Sequence, residues 1–118
     1  MTYAIEFEDK VWRALGDRKR RRILEALVKT PMLTGELVDL LPSIGRTGVL
    51  RHIGILTDAN LIVVRPEGRK RWNHFNPDPV RRVCNEWVAL HIEGVEASTA
   101  KLKSIAESEV HSKTEDNI

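Results

Sequence analysis

Apolar residues recur along most of this chain at spacings of three and four, the period of a helix with one buried face. Phe7, Val11, Trp12 and Leu15 predict a first helix over about 5–15, with Glu6, Glu8 and Asp9 in its first turn complementing the helix dipole. Gly16 ends it, and Asp17 is placed to cap a second helix whose inward stripe is Ile23, Leu24, Leu27 and Val28. Thr34 then caps a short helix carrying Leu37, Leu40 and Leu41, which Pro42-Ser43 terminates. A fourth stripe, Val49, Ile53 and Leu56, runs i, i+4, i+7 over about 44–59.

The period then changes. Ile62, Val64 and Trp72 alternate with polar residues on two short runs around Pro66-Glu67-Gly68, the pattern of a β-hairpin. Asn76-Pro77-Asp78-Pro79 breaks the second run, with Asp78 as a helix cap and Pro79 at the first helical position. A helical period resumes at Val80 and continues through Val83, Cys84, Trp87, Val88, His91, Val95, Ser98, Leu102 and Ile105 to residue 106. Such a helix is about 40 Å long, more than a domain of this size covers, so its apolar stripe needs a second chain. The expected fold is therefore mainly α with a small β-hairpin, one domain over 1–106, and a polar, disordered tail over 107–118.

The third and fourth helices are joined by a tight turn. At about 100° per residue, the outer face of the fourth carries Thr47, Arg51, Gly54 and Asp58, with Arg46 and Leu50 towards its edges. A face of arginine, hydroxyl and glycine suits a helix lying in a groove, which makes the pair a helix-turn-helix. Helical hairpins of this size also occur in proteins that never meet nucleic acid. The β-hairpin that follows is basic at its tip, with Arg65, Arg69, Lys70 and Arg71 around Glu67. It reads as a wing on the DNA backbone or minor groove, the plainer alternative being an edge hairpin kept soluble by charge.

Composition sharpens this picture. At 118 residues one domain is expected. The modest net charge of +2 conceals an asymmetry: residues 10–85 hold 16 Lys/Arg against seven Asp/Glu, while the two ends hold three against ten. A basic middle fits a face that meets phosphate. Within it, Arg18, Lys19, Arg20, Arg21 and Arg22 are consecutive, so they wrap most of the way round a helix and cannot all share one surface. The single cysteine, Cys84, excludes an intrachain disulfide and a multi-cysteine metal site. No apolar run reaches the roughly 18 residues of a membrane span and no signal peptide is visible, so a cytoplasmic location is expected. No nucleophile–base pair, paired carboxylates or phosphate-cradling glycine loop points to an enzyme.

The stretches VWRALGDRKRRRILEAL, TGELVDLL and GRTGVLRHIGILTDANLIVVRPEGRKRWNHFNPDPVRRV resemble the ArsR family of small bacterial winged-helix repressors over roughly residues 8–90. The resemblance implies a winged helix-turn-helix with a long C-terminal dimerisation helix, a homodimer paired through its first and last helices, and binding of double-stranded operator DNA. It places Arg46, Thr47, Leu50, Arg51 and His52 on the DNA-reading helix and Arg65, Arg69, Lys70 and Arg71 on the wing. Arg46 or Arg51 would bond a guanine edge or hold phosphate, and Thr47 would meet a thymine methyl or a phosphate. For His52, packing at the helix edge is as good a reading as DNA contact. Val11, Trp12, Trp87, His91 and Val95 fall at the implied dimer interface. Gly45, Gly48 and Leu50 depart from the polar or alanine residues more usual there, each glycine weakening the helix by about 1 kcal/mol.

The Cys-x-Cys metal pair of many family members is absent, since the matching stretch is GELVDLL. Cys84 and His91 share a helix face and could meet their symmetry mates around a metal. A core thiol and a histidine in the dimer seam is the preferred reading. The chain thus resembles the metal-independent, SdpR-like branch, with no cofactor and no identifiable effector. The alternative function is a winged-helix protein-interaction module that docks an acidic partner.

Overall fold

A computed structural model describes residues 2–92, and shows how the helical stripes find one another. Helix α1 spans Thr2–Leu15, α2 Arg18–Lys29, α3 Thr34–Leu40 and α4 Gly45–Asp58, with a 3₁₀ turn at Pro42–Ile44 before α4. Strands β1 (Met32–Leu33), β2 (Ile62–Glu67) and β3 (Lys70–Phe75) form an antiparallel sheet in the order β1-β3-β2, and α5 covers Asp78–His91. The chain divides into two compact units, residues 1–83 and 84–118, and α5 contributes residues to both. The core of the first unit is the set of stripes read from the sequence: Ile23, Leu24 and Leu27 of α2, Leu37 of α3, and Val49, Ile53 and Leu56 of α4. Ala14, Ala59, Leu61 and Ile62 complete it.

Local chemistry explains where the helices start. The Asp17 carboxylate accepts the N–H groups of Lys19 and Arg20 at 2.7 and 3.3 Å, capping α2 as expected. Burial opposes its ionisation, but those two N–H groups, the charge of Arg20 and, in the acid range where the carboxyl titrates, that of protonated His52 outweigh burial and hold the carboxyl below the usual carboxylate range. A depressed folded-state pKa contributes stability above the usual range, and that stability is lost as pH falls through the folded value. Asp17→Ala should therefore cost about 1 kcal/mol in urea unfolding at pH 7, and much less near pH 3. A pH-independent difference would rule out the charged cap.

Several expectations are corrected. The first helix starts earlier than expected, leaving Glu6, Glu8 and Asp9 outside its first turn. Val28 is 63% exposed, because Ile23, Leu24 and Leu27 define the buried arc and Val28 lies about 40° past its edge. Thr34 is the first residue of α3 rather than its cap: Glu36 accepts the Leu33 N–H at 2.8 Å instead. The reason is β1, a short strand the sequence did not suggest, which pairs Met32 with Asn73 and Leu33 with Trp72 and runs straight into the helix. Asp78 is the first residue of α5 rather than its cap, which puts Pro79 second; the Pro77 carbonyl accepts the Arg81 N–H at 3.1 Å and the Asn76 side-chain oxygen accepts the Asp78 N–H at 3.3 Å.

The hairpin also differs in register. Its two-residue tip is Gly68-Arg69, closed by Glu67 opposite Lys70, and Gly68 takes the positive φ of 62° that the first position of a type II′ turn requires. Pro66 lies within β2, tolerable because β2 is an edge strand. Val64 faces Asn73 and Arg65 faces Trp72, so Trp72 is on the outer face and Asn73 is the fully buried inward residue. The expected grouping of Trp72 with Ile62 and Val64 is overturned by this pairing.

In the second unit the described residues are 84–92. Cys84 is exposed and so is not the core thiol expected. Trp87 is 45% exposed and its ring lies against that of His91, 5.0 Å between centroids. Val95, the continuation of the helix to residue 106 and the tail at 107–118 lie outside the described residues.

Candidate nucleic-acid interface

The position of α4 follows from the turn before it. Pro42 opens the 3₁₀ turn, and Gly45, with φ of 69°, carries the chain from that turn into the helix. Because this glycine is the first helical residue and needs a left-handed φ, it fits the helix start and does not weaken the helix body. Val49, Ile53 and Leu56 then point into the core, which leaves Arg46, Thr47, Arg51 and Gly54 exposed, and Leu50 43% exposed.

A cleft of about 530 Å³ runs between the start of α3, α4 and the β2–β3 hairpin. Its apolar floor includes Leu33, Leu50, Ile53 and Val64, and Thr34, Thr57 and Asn73 supply polar groups. Four cations line it: Arg46 from α4, and Arg69, Lys70 and Arg71 from the hairpin. Among the described residues no acidic side chain lines it. The one acid of the hairpin, Glu67, instead accepts the Trp72 indole N–H at 2.9 Å. The fold therefore concentrates positive charge on one concave face in a way that suits a polyanion.

The sequence-derived candidates fall into three groups. Arg46, Leu50, Arg69, Lys70 and Arg71 meet in the cleft. Thr47 and Arg51 are exposed on α4 outside it, and Arg65 faces Trp72 across the hairpin. His52, partly buried, turns towards α2, where its Nδ1 lies 3.3 Å from an Arg20 guanidinium nitrogen. Of the five consecutive basic residues on α2, two are occupied internally. Arg20 donates to Ala14 O and Arg13 O, both at 2.8 Å, and Arg21 donates to Leu15 O at 2.6 Å. They satisfy carbonyls that the C-terminus of α1 leaves without helical partners. The signal was present in the sequence as an arginine run just after a helix-ending glycine, although it does not say which arginines turn back.

Asn73 was missed altogether. Its Nδ2 donates to Met32 O at 3.2 Å and to Thr34 Oγ1 at 3.1 Å, tying β3 to β1 and to the start of α3, while its Oδ1 is buried without a partner. The expected interface residues between copies separate as well: Val11 is fully buried within the chain, whereas Trp12 is 41% exposed. Among the described residues no group of three or more His, Cys, Asp or Glu side chains converges as a metal site, and no helix is long and apolar enough to cross a membrane.

A helix-turn-helix domain family matches residues 15–65. The HTH-type transcriptional regulator Rv2034 of Mycobacterium tuberculosis (strain ATCC 25618 / H37Rv) is 39% identical over 69 residues, which is 58% of this chain and 64% of that protein. The chain thus spans a little under two thirds of that relative's length. The uncharacterized HTH-type transcriptional regulator YuzN of Bacillus subtilis (strain 168) is 34% identical over 89 residues, covering 69% of this chain and 95% of its own. Among solved structures, the ArsR family transcriptional regulator RHA00566 superposes with a TM-score of 0.60 at 25% identity, over 87% of this chain and 93% of that one. Helix pair, basic hairpin and these likenesses define a winged helix-turn-helix transcriptional regulator. The chain belongs to the HTH-type transcriptional regulators, and the solved structures it resembles include an ArsR family member.

Proposed function

We propose that this protein is a homodimeric repressor of the cytoplasm that binds a palindromic DNA operator and does so without a metal ion. The observation that carries this reading is the cleft in which Arg46 of α4 and Arg69, Lys70 and Arg71 of the hairpin face one space with no acid between them. On this reading α4 enters the major groove, with Arg46 and Arg51 bonding base edges or phosphate, Thr47 and Leu50 at the bases, and the hairpin with Arg65 along the backbone. Exposed apolar side chains support self-association: Ile5 and Trp12 on α1, and Trp87, Leu90 and Ile92 in the second unit. Covering them against a second copy would remove apolar surface from water. Two recognition helices in a twofold dimer reach successive major grooves about 34 Å apart, which makes the operator an imperfect palindrome.

Selection of bound duplexes from a random pool at about 150 mM salt, with and without chelator, tests the operator binding, its twofold symmetry and its independence of metal. A palindromic motif that survives chelation is expected. If about eight phosphates are neutralised per dimer, log affinity falls against log salt with a slope near −7. Tight binding with no enriched motif would leave a protein-interaction module or a nonspecific binder. A slope near zero would remove nucleic acid as the partner. Arg51→Ala should weaken the selected site by about 1–3 kcal/mol with sedimentation of the dimer unchanged, and equal affinity would mean that another face of α4 meets the bases.

A further inference from the structure

Arg20 is the most connected side chain among the described residues. Its guanidinium donates to Ala14 O and Arg13 O, both at 2.8 Å, lies 3.9 Å from the Asp17 carboxylate, and places a third nitrogen 3.3 Å from His52 Nδ1. It joins the end of α1, the cap of α2 and the middle of α4. A guanidinium has only donors, so the Nδ1 it approaches must be the acceptor, and the ring proton must sit on Nε2. No hydrogen bond engages Nε2 among the described residues. Asn73 Oδ1 is the only buried side-chain polar atom there without a partner, so Nε2 is not a sealed-off donor within the described residues.

We propose that Arg20 is a positioning residue for DNA binding: it holds His52 in the neutral Nε2–H form, so that the α2–α4 seam presents one oriented donor to a backbone phosphate. The inference rests on the DNA-binding reading above and assigns the histidine a role that the sequence left open. The surroundings suit an anion. Among the described residues, Lys19 and Arg20 on α2 and Arg51 on α4 are cations whose charge acts on the ring, and Asp17 is the acid that acts on it. Burial pushes the His52 pKa down; Asp17 opposes this, while Arg20, Lys19 and Arg51 add to it, so the ring lies below the ordinary histidine range and is neutral at pH 7. Being neutral, it selects phosphate by geometry, while Lys19 and Arg51 supply the attraction.

Imidazole ¹⁵N spectra of the full-length free protein test the first half of the proposal without DNA. Nδ1 should be unprotonated and Nε2 protonated, with titration below the ordinary range. In Arg20→Met the tautomers should mix and the titration should move up. A protonated Nδ1 in the wild type would overturn the assignment. For the second half, His52→Leu leaves the α1 carbonyl bonds of Arg20 untouched and should weaken a selected duplex about tenfold. Arg20→Met should do the same, and the double variant should be little worse than either, because the two act through one contact. Additive losses would reduce Arg20 to a structural clamp and sink the proposal. If the wild-type protein binds no duplex at all, the DNA-binding reading falls and takes the phosphate contact with it, whereas the spectra still decide whether Arg20 sets the tautomer.

Discussion

Replacing Arg69, Lys70 and Arg71 together with glutamine should lower operator affinity by about 10²- to 10³-fold at 150 mM salt. The three line the cleft beside α4, carried by the hairpin tip and the start of β3. If two of the three meet phosphate in each protomer, four counterion-releasing contacts vanish per dimer, and the salt slope becomes shallower by roughly 3.6. Glutamine keeps hydrogen-bonding capacity and removes only charge, and the tip turn depends on Gly68, so folding should be unaffected. The sequence preference of the residual binding should be unchanged, because phosphate contacts position a protein while base contacts specify the site. A variant with the parental slope would place the hairpin away from DNA, and one with an altered motif would make the hairpin a reader of bases.

Asn73→Asp should be the most destabilising single change at the interface. It removes the donor to Met32 O and Thr34 Oγ1 and sets a carboxylate against the Met32 carbonyl at a position with no exposure, where the Thr34 hydroxyl is the one nearby group able to turn and donate. Leaving a buried charge uncompensated costs about 3–5 kcal/mol, against a total stability of about 5–15 kcal/mol for a domain of this size. The sign with pH is distinctive. Burial raises the pKa of the introduced carboxyl in the folded state, so the penalty is small in acid and grows as pH rises through the usual carboxylate range. Asn73→Leu, which removes the unpaired Oδ1 and the donor together, should cost less, about 1–3 kcal/mol. Urea unfolding across pH distinguishes them. A pH-independent loss in Asn73→Asp would mean the site opens to water.

How much of the interface was legible in advance depends on how local its causes are. Val49, Ile53 and Leu56 identified the buried side of α4, and that alone determined that Arg46, Thr47 and Arg51 would be outside. Asp17 identified itself as a cap, because capping needs only two neighbouring N–H groups. The hairpin was recognisable from its alternation and its charge. Its register was not, because one position of slip exchanges the two faces, and the pairing of Asn73 with Met32 spans 41 residues. The same limit hid β1, which is too short to show a pattern of its own.

The sequence by itself determined the order of the helices and the hairpin, the buried face of α4 and the basic character of the helix-turn-helix and hairpin, since periodicity and side-chain charge act within a few residues. Only the tertiary structure decided which cations share a space and which are used up inside the protein. It brought Arg46 to Arg69, Lys70 and Arg71, turned Arg20 and Arg21 back onto carbonyls of α1, set Arg20 against His52, and buried Asn73. Each of these depends on where two distant segments meet, and that meeting is settled by packing of the whole core rather than by any stretch of chain alone.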